Sequence, residues 1–72
     1  MFNEDDIRKA LKPFSENLKS IDRIKNATFY AVFDSSVDEN EVERVLKKEL
    51  NPESIVVDRK DSEVSIKIID WD

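Results

Sequence analysis

The chain has 72 residues, among them no Gly, no His and no Cys, and its 17 acidic and 12 basic side chains give a net charge of -5. Phosphate-cradling loops need Gly, nucleophile triads need His and structural zinc needs Cys or His, so the usual forms of these sites are excluded. We therefore expect a protein that is not an enzyme and that holds no cofactor and no metal.

Hydrophobic residues make up 39% of the chain and charged residues 40%, which is typical of a packed core under a charged surface. We expect one small α+β domain over residues 1–72. The absence of Cys and the acidic N-terminal sequence, which lacks the features of a signal peptide, favour a cytoplasmic location. No apolar run is long enough for a membrane span.

The first segment is predicted to be helical because its apolar side chains recur at spacings of three and four residues. These are Ile7, Ala10, Leu11, Phe14, Leu18 and Ile21. Asn3 is the expected N-cap. Pro13 interrupts the pattern, so residues 4–20 form either one kinked helix or two short helices, the second opened by Pro13.

Residues 26–34 are rich in aromatic and β-branched types and predict a strand. Alternation places Ala27, Phe29, Ala31 and Phe33 on the core face, and Thr28, Tyr30 and Val32 on the other face. A second helix follows, capped by either Ser36 or Asp38 and ended by Asn51 and Pro52. Its buried stripe consists of Val42, Val45, Leu46 and Leu50.

The rest of the chain predicts a hairpin, with strands near 54–59 and 63–70 joined by a turn at 59–62. The element order is then α-β-α-β-β, a two-layer sandwich of a three-stranded sheet with two helices on one face. The central part resembles the split βαβ of ferredoxin-like folds, a likeness of fold that implies no function.

The sheet face away from the helices is the predicted partner-binding surface. An open face should be mostly polar, yet this one carries several apolar side chains, and contiguous apolar surface is typical of contact sites. Its residues are Thr28, Tyr30, Val32, Val56, Lys67, Ile69 and Trp71. The alternative is that these residue types merely suit strands and that Trp71 curls around the sheet edge.

The strand at 26–33 is predicted to lie at an edge of the three-stranded sheet. It contains no charge and no Pro, and such an unprotected edge favours pairing with another chain. We therefore expect a homodimer through strand 26–33, or addition of this strand to a partner's sheet. The alternative is that the first helix, or the connection through Ile21 and Ile24, covers the strand.

Charge is uneven along the chain, since residues 26–72 carry twelve acids and six bases. This predicts a protein partner that is basic, such as a nucleic-acid-binding protein, and makes nucleic acid itself an improbable ligand. The run Phe29 to Phe33 resembles the aromatic strand of RNA-recognition sheets but lacks the Gly and the leading basic residue. The likeness, together with the basic Lys67 near Tyr30 and Trp71, makes single-stranded nucleic-acid binding through these three residues the alternative function. A third alternative is that the chain is a structural subunit of a larger assembly.

Two carboxylate pairs have a spacing that would allow loose binding of a hard cation. They are Asp34 with Asp38, and Asp70 with Asp72. Such pairs are usually solvated surface, so we predict no metal site.

Overall fold

The computed structural model describes residues 2–25 and 27–71. The helices are α1 (Glu4–Ala10) and α2 (Glu39–Glu49), with a 3-10 turn at Lys12–Phe14. The strands are β1 (Leu18–Lys25), β2 (Thr28–Asp34), β3 (Ser54–Arg59) and β4 (Glu63–Ile69). Within these residues the α+β class is confirmed, but the three-stranded sheet and the α-β-α-β-β order are wrong because the sheet has four strands.

The additional strand is β1, where the sequence predicted the end of the first helix and the connection after it. Pro13 lies in the 3-10 turn that follows α1, and the chain enters β1 four residues after the turn ends. Leu18 pairs with Phe33 and Ile21 with Ala31, so Leu18 and Ile21 lie on the same sheet face although they are three residues apart. A register shift between Leu18 and Ser20 makes this possible. The β-bulge thus reproduces the spacing of an amphipathic helix.

The strand order is β1-β2-β4-β3, and all neighbouring strands are antiparallel. The strand predicted at 26–33 is therefore not an edge, because β2 is paired with β1 on one side and β4 on the other. Its edge is unavailable for dimerisation. The segment through Ile21 and Ile24, the alternative cover for this strand, is the segment that pairs with it. Asn26, where the predicted strand begins, lies outside the described residues.

The core lies between the two helices and one face of the sheet. Phe29, Ala31 and Phe33 are buried as predicted, whereas Ala27 is only partly buried. The other core residues are Ile7, Ala10, Leu11, Ile21, Val37, Val42, Leu46, Val64, Ile66 and Ile68. Among the remaining predicted inward residues, Phe14, Leu18, Val45 and Leu50 are partly buried.

Local side-chain bonds fix both helix starts. The Asn3 side chain accepts from the backbone N–H of Asp6, and the Asp6 side chain accepts from that of Asn3, which is a capping box. Asp38, not Ser36, caps α2 by accepting from the backbone N–H groups of Asn40 and Glu41.

The end of α2 is marked by Asn51, whose φ of 48° lies in the left-handed region. Asn tolerates that region better than most residues do, which explains why it can stand here in a chain without Gly. Pro52 follows directly and cannot continue a helix. The predicted stop at these two residues is thus close to the observed end at Glu49.

Candidate interaction surface

The sheet face opposite the helices is formed by alternate residues of all four strands. Because directly paired residues share a face, the registers arrange it in three rows across the strands β1, β2, β4 and β3. The rows are Ser20–Val32–Ser65–Asp58, Asp22–Tyr30–Lys67–Val56 and Lys25–Thr28–Ile69–Ser54. No described element covers this face.

Four apolar or aromatic side chains occupy the middle of this open face around one cation. Tyr30 and Val56 are the cross-strand neighbours of Lys67 on its two sides. Val32 and Ile69 lie in the rows on either side. Tyr30, Val32 and Ile69 are partly buried by their neighbours, and Val56 on the outer strand is 51% exposed.

Charged side chains flank this apolar centre on the outer strands. Asp22 on β1 is the cross-strand neighbour of Tyr30 on β2, and Asp58 on β3 is that of Ser65 on β4. Farther along the sheet, Lys19 forms an ion pair of 3.6 Å with Glu63. The three rows thus surround the apolar centre with two acidic residues, Asp22 and Asp58, and contain two basic residues, Lys25 and Lys67.

Six of the seven residues predicted for partner binding lie together on the open face, and Trp71 does not. β4 ends at Ile69, and Asp70 turns the chain by donating its N–H to the carbonyl of Ala27 at 2.7 Å. The indole Nε1 of Trp71 then donates to the carbonyl of Asn51 at 3.0 Å. Trp71 thus lies beside the end of α2, 58% exposed. Alternation failed for this residue because the strand had already ended.

Sequence reasoning missed one exposed apolar residue, Ile24, which is 52% exposed. The register of β1 on β2 shifts between Arg23 and Lys25, and Ile24 has no partner on β2 at this second bulge. Its position is at the same end of the sheet as Thr28 and Ile69. The sequence placed Ile24 in a connection after the predicted helix, as a residue that could cover the strand at 26–33, and not in a strand of its own.

The first carboxylate pair has structural roles on both members. The Asp34 carboxylate accepts from the backbone N–H and hydroxyl of Ser36 and from the side-chain amide of Asn17. These hydrogen bonds, first that of the Ser36 hydroxyl and then that of Asn17, lower the pKa of Asp34 below its usual value. Asp38 is occupied as the α2 cap.

Of the second pair, Asp70 is buried and Asp72 lies outside the described residues. The Asp70 carboxylate accepts from the backbone N–H of Phe2 at 2.8 Å and from that of Trp71 at 2.7 Å. Residues 2–25 and 27–71 contain no group of three or more carboxylate side chains close enough to hold a metal ion.

Arg59 connects β3 to the loop that precedes α2. Its guanidinium forms an ion pair with Glu39 and donates to the carbonyls of Ser35 and Val37, at 3.1 and 2.9 Å. The hydrogen bond from Arg59 lowers the pKa of Glu39, and the same bond raises the pKa of Arg59. One planar side chain thereby holds the loop at two points and the first residue of α2 at a third.

A groove of about 470 Å³ opens between the start of α1 and the helix-facing side of β1 and β2. Its lining includes Phe2, Arg23 and Phe29. The Phe2 and Phe29 rings are 5.8 Å apart, and the Arg23 guanidinium carbon lies 5.9 Å from the Phe29 ring centre. These contacts close one end of the core.

Comparisons with protein-family models, with curated proteins and with solved structures found no match to this chain. Neither helix in the described part of the chain has the length and apolarity needed to cross a lipid bilayer.

Proposed function

We propose that this chain is a non-catalytic protein-interaction module that binds a partner protein through its open sheet face. The observation that carries the proposal is the uncovered apolar centre, in which Tyr30 and Val56 flank Lys67 on neighbouring strands. Apolar and aromatic side chains at the centre of a polar-rimmed surface are typical of protein interfaces. The non-catalytic part of the proposal rests on the absence of His, Cys and Gly from the sequence.

The proposed partner is basic. The proposal rests on the net charge of -5 of the whole chain, because on the open face itself Asp22 and Asp58 are accompanied by Lys25 and Lys67. Charge complementarity of this kind speeds association and excludes partners of like charge. A nucleic-acid-binding protein has such a surface, and occupying it would make this chain an inhibitor or an adaptor of that protein.

The pairing of two residues in the sheet register favours a second candidate function, single-stranded nucleic-acid binding. Tyr30 and Lys67 are directly opposite each other on β2 and β4, so an aromatic ring and an ammonium group lie side by side on the open face. Rings stack on bases, and ammonium groups neutralise phosphates. The net charge of -5 opposes this function, and we rank it second.

Val32→Lys tests the proposal, with Asn40→Lys as a matched control. Both substitutions add one positive charge, but Val32 lies in the open face between Ser20 and Ser65, while Asn40 is exposed on α2 in the other layer. The probes are peptides selected from a random library on the unmodified chain, and a 20-nucleotide oligothymidine. Binding is mapped by chemical-shift changes in NMR spectra and quantified by fluorescence anisotropy.

We expect selected peptides that combine apolar and basic residues and shift the signals of Tyr30, Val32 and Lys67. Val32→Lys should weaken their binding at least about tenfold, because it places a charge in the desolvated centre, and Asn40→Lys should not. Peptide signals confined to other surfaces, or equal binding by both variants, would contradict the proposal. Oligothymidine binding that falls steeply with salt would instead support the second function.

A further inference from the structure

The sheet has two edges, and they differ in how well they are protected. On β1 the register is regular only from Ser20 to Arg23, with a bulge on either side, and the strand carries four charged residues. Bulges and charges are common devices that prevent pairing of an edge. On β3 all six residues pair in regular register with β4, and the run Ser54 to Val57 carries no charge. The unprotected edge is therefore β3.

The hydrogen bonds at the hairpin turn show which backbone groups of β3 point outward. Lys60 donates its N–H to the carbonyl of Glu63 at 2.9 Å, so the backbone groups of Lys60 are directed towards β4. Backbone direction alternates along a strand, and residues 54, 56 and 58 therefore also bond to β4. The N–H and C=O groups of Ile55 and Val57 point away from the sheet. No strand in the described part of the chain pairs with them.

We propose that β3 pairs with β3 of a second copy of this chain, antiparallel and around a two-fold axis at Val56. This proposal concerns an edge, and it does not depend on what the open face binds. A two-fold dimer uses the same edge on both copies and closes, so it does not grow into a fibre. Ile55 and Val57 of each copy then exchange backbone hydrogen bonds with Val57 and Ile55 of the other.

The side chains of β3 are complementary to themselves in this register. Val56 of one copy falls opposite Val56 of the other, and Ser54 falls opposite Asp58, whose carboxylate accepts from a hydroxyl. Just outside the strand, Glu53 falls opposite Arg59, which is of opposite charge and already forms an ion pair with Glu39 in its own copy. Every one of these contacts except that at Val56 occurs twice.

The neighbouring register, with the axis at Val57, is less favourable. It places the apolar side chain of Val56 opposite the carboxylate of Asp58, and it places Glu53 opposite Asp61, a pair of like charges. Charge complementarity therefore favours the register with Val56 on the axis over the one with Val57 on the axis. A six-residue edge is a small contact, so the dimer should be weak and dependent on concentration.

The test is sedimentation equilibrium of the full chain over a wide concentration range at low ionic strength. We expect the unmodified chain to show a reversible monomer–dimer equilibrium. Ser54→Asp places two pairs of like charges across the dimer and should raise the dissociation constant about tenfold. The double variant Ser54→Asp with Asp58→Lys turns both pairs into opposite charges and should restore dimerisation. Within one copy, residues 54 and 58 lie opposite the uncharged Ile69 and Ser65 of β4. Neither substitution therefore places a charge opposite a charged residue of the same copy.

Amide hydrogen exchange gives a second readout that does not depend on a variant. Protection of the Ile55 and Val57 amides should rise as the concentration is raised, whereas the outward amides of Ile21 and Arg23 on β1 should not change. A chain that remains monomeric up to about 1 mM would overturn the proposal. It would equally be overturned if Ser54→Asp left the dissociation constant unchanged, or if the concentration-dependent protection appeared on β1.

Discussion

The carboxylate of Asp70 accepts a hydrogen bond of 2.8 Å from the backbone N–H of Phe2, so the end of β4 is tied to the segment that leads into α1. Asp70 is only 4% exposed, and it also accepts from the N–H of Trp71. The bond joins the two ends of the described chain next to the Phe2–Phe29 ring contact. Asp70, which was considered as a cation ligand in the sequence, therefore connects the segment before α1 to the end of β4.

Asp70→Ala should lower the free energy of unfolding by about 1–3 kcal/mol, because it leaves the N–H groups of Phe2 and Trp71 without their acceptor. Urea denaturation measures this change. Asp61→Ala, which removes the same type of side chain from the exposed hairpin turn, is the control and should change the stability by less than about 0.5 kcal/mol. Equal effects of the two substitutions would show that the bond from Phe2 contributes nothing.

Phe29→Ala should cost about 3–5 kcal/mol, since the ring is 2% exposed in the centre of the core and its removal leaves a cavity. This is a large part of the stability expected for a small domain. Tyr30→Ala, one residue along on the open face, should cost less because the Tyr30 ring is already partly solvated. Thermal unfolding followed by circular dichroism compares the two. The opposite ranking would mean that the two faces of β2 had been exchanged.

Stability should depend on the ionisation of Asp34. Its pKa in the folded chain is lowered from 3.8 by the hydrogen bonds from Ser36 and Asn17, so the folded state favours the charged form. The resulting stabilisation is present above the unfolded pKa and is lost as the pH falls through the lower, folded pKa. The hydrogen bond from Arg59 lowers the pKa of Glu39 in the folded chain below its ordinary value of 4.5. The stabilisation from Glu39 is therefore also lost as the pH falls.

The free energy of unfolding should therefore decrease as the pH is lowered from about 5 to 2. Asp34→Asn and Ser36→Ala should each make this decrease smaller, because they remove the acid or its main donor. Ser62→Ala, in the exposed hairpin turn, should leave the profile as it is. Urea titrations at several pH values provide the measurement, and a profile for Asp34→Asn that coincides with the unmodified chain would exclude this role.

The sequence predicted the second half of the fold well because its signals are local. The hairpin of β3 and β4 follows from alternating apolar residues around a polar turn, and the end of α2 follows from Asn51 and Pro52. The first half was mispredicted at β1. Its bulge places Leu18 and Ile21 on one face at the spacing of a helix, and no residue type in the segment contradicts that reading.

This one error explains the wrong edge. Without β1 the uncharged strand predicted at 26–33 had no neighbour on one side, whereas in the fold β2 is an interior strand, where a mostly apolar sequence is expected. The open-face residues of β2, β3 and β4 were placed together by alternation, which holds wherever the register is regular. Alternation misplaced Trp71 because β4 ends at Ile69, and Ile24 was not placed on a strand because β1 was not predicted.

The strand order β1-β2-β4-β3 also bears on how the chain reaches its fold. β1 pairs with β2 and β3 with β4, and the members of each pair are neighbours along the chain. Among the strand pairs of the described chain, only that between β2 and β4, where Ala31 lies opposite Ile66, joins strands on opposite sides of α2. Contacts between nearby residues require little loop closure, while contacts between distant residues require more. The sheet therefore consists of two hairpins, each formed by local contacts. Its one long-range step is the pairing of β2 with β4.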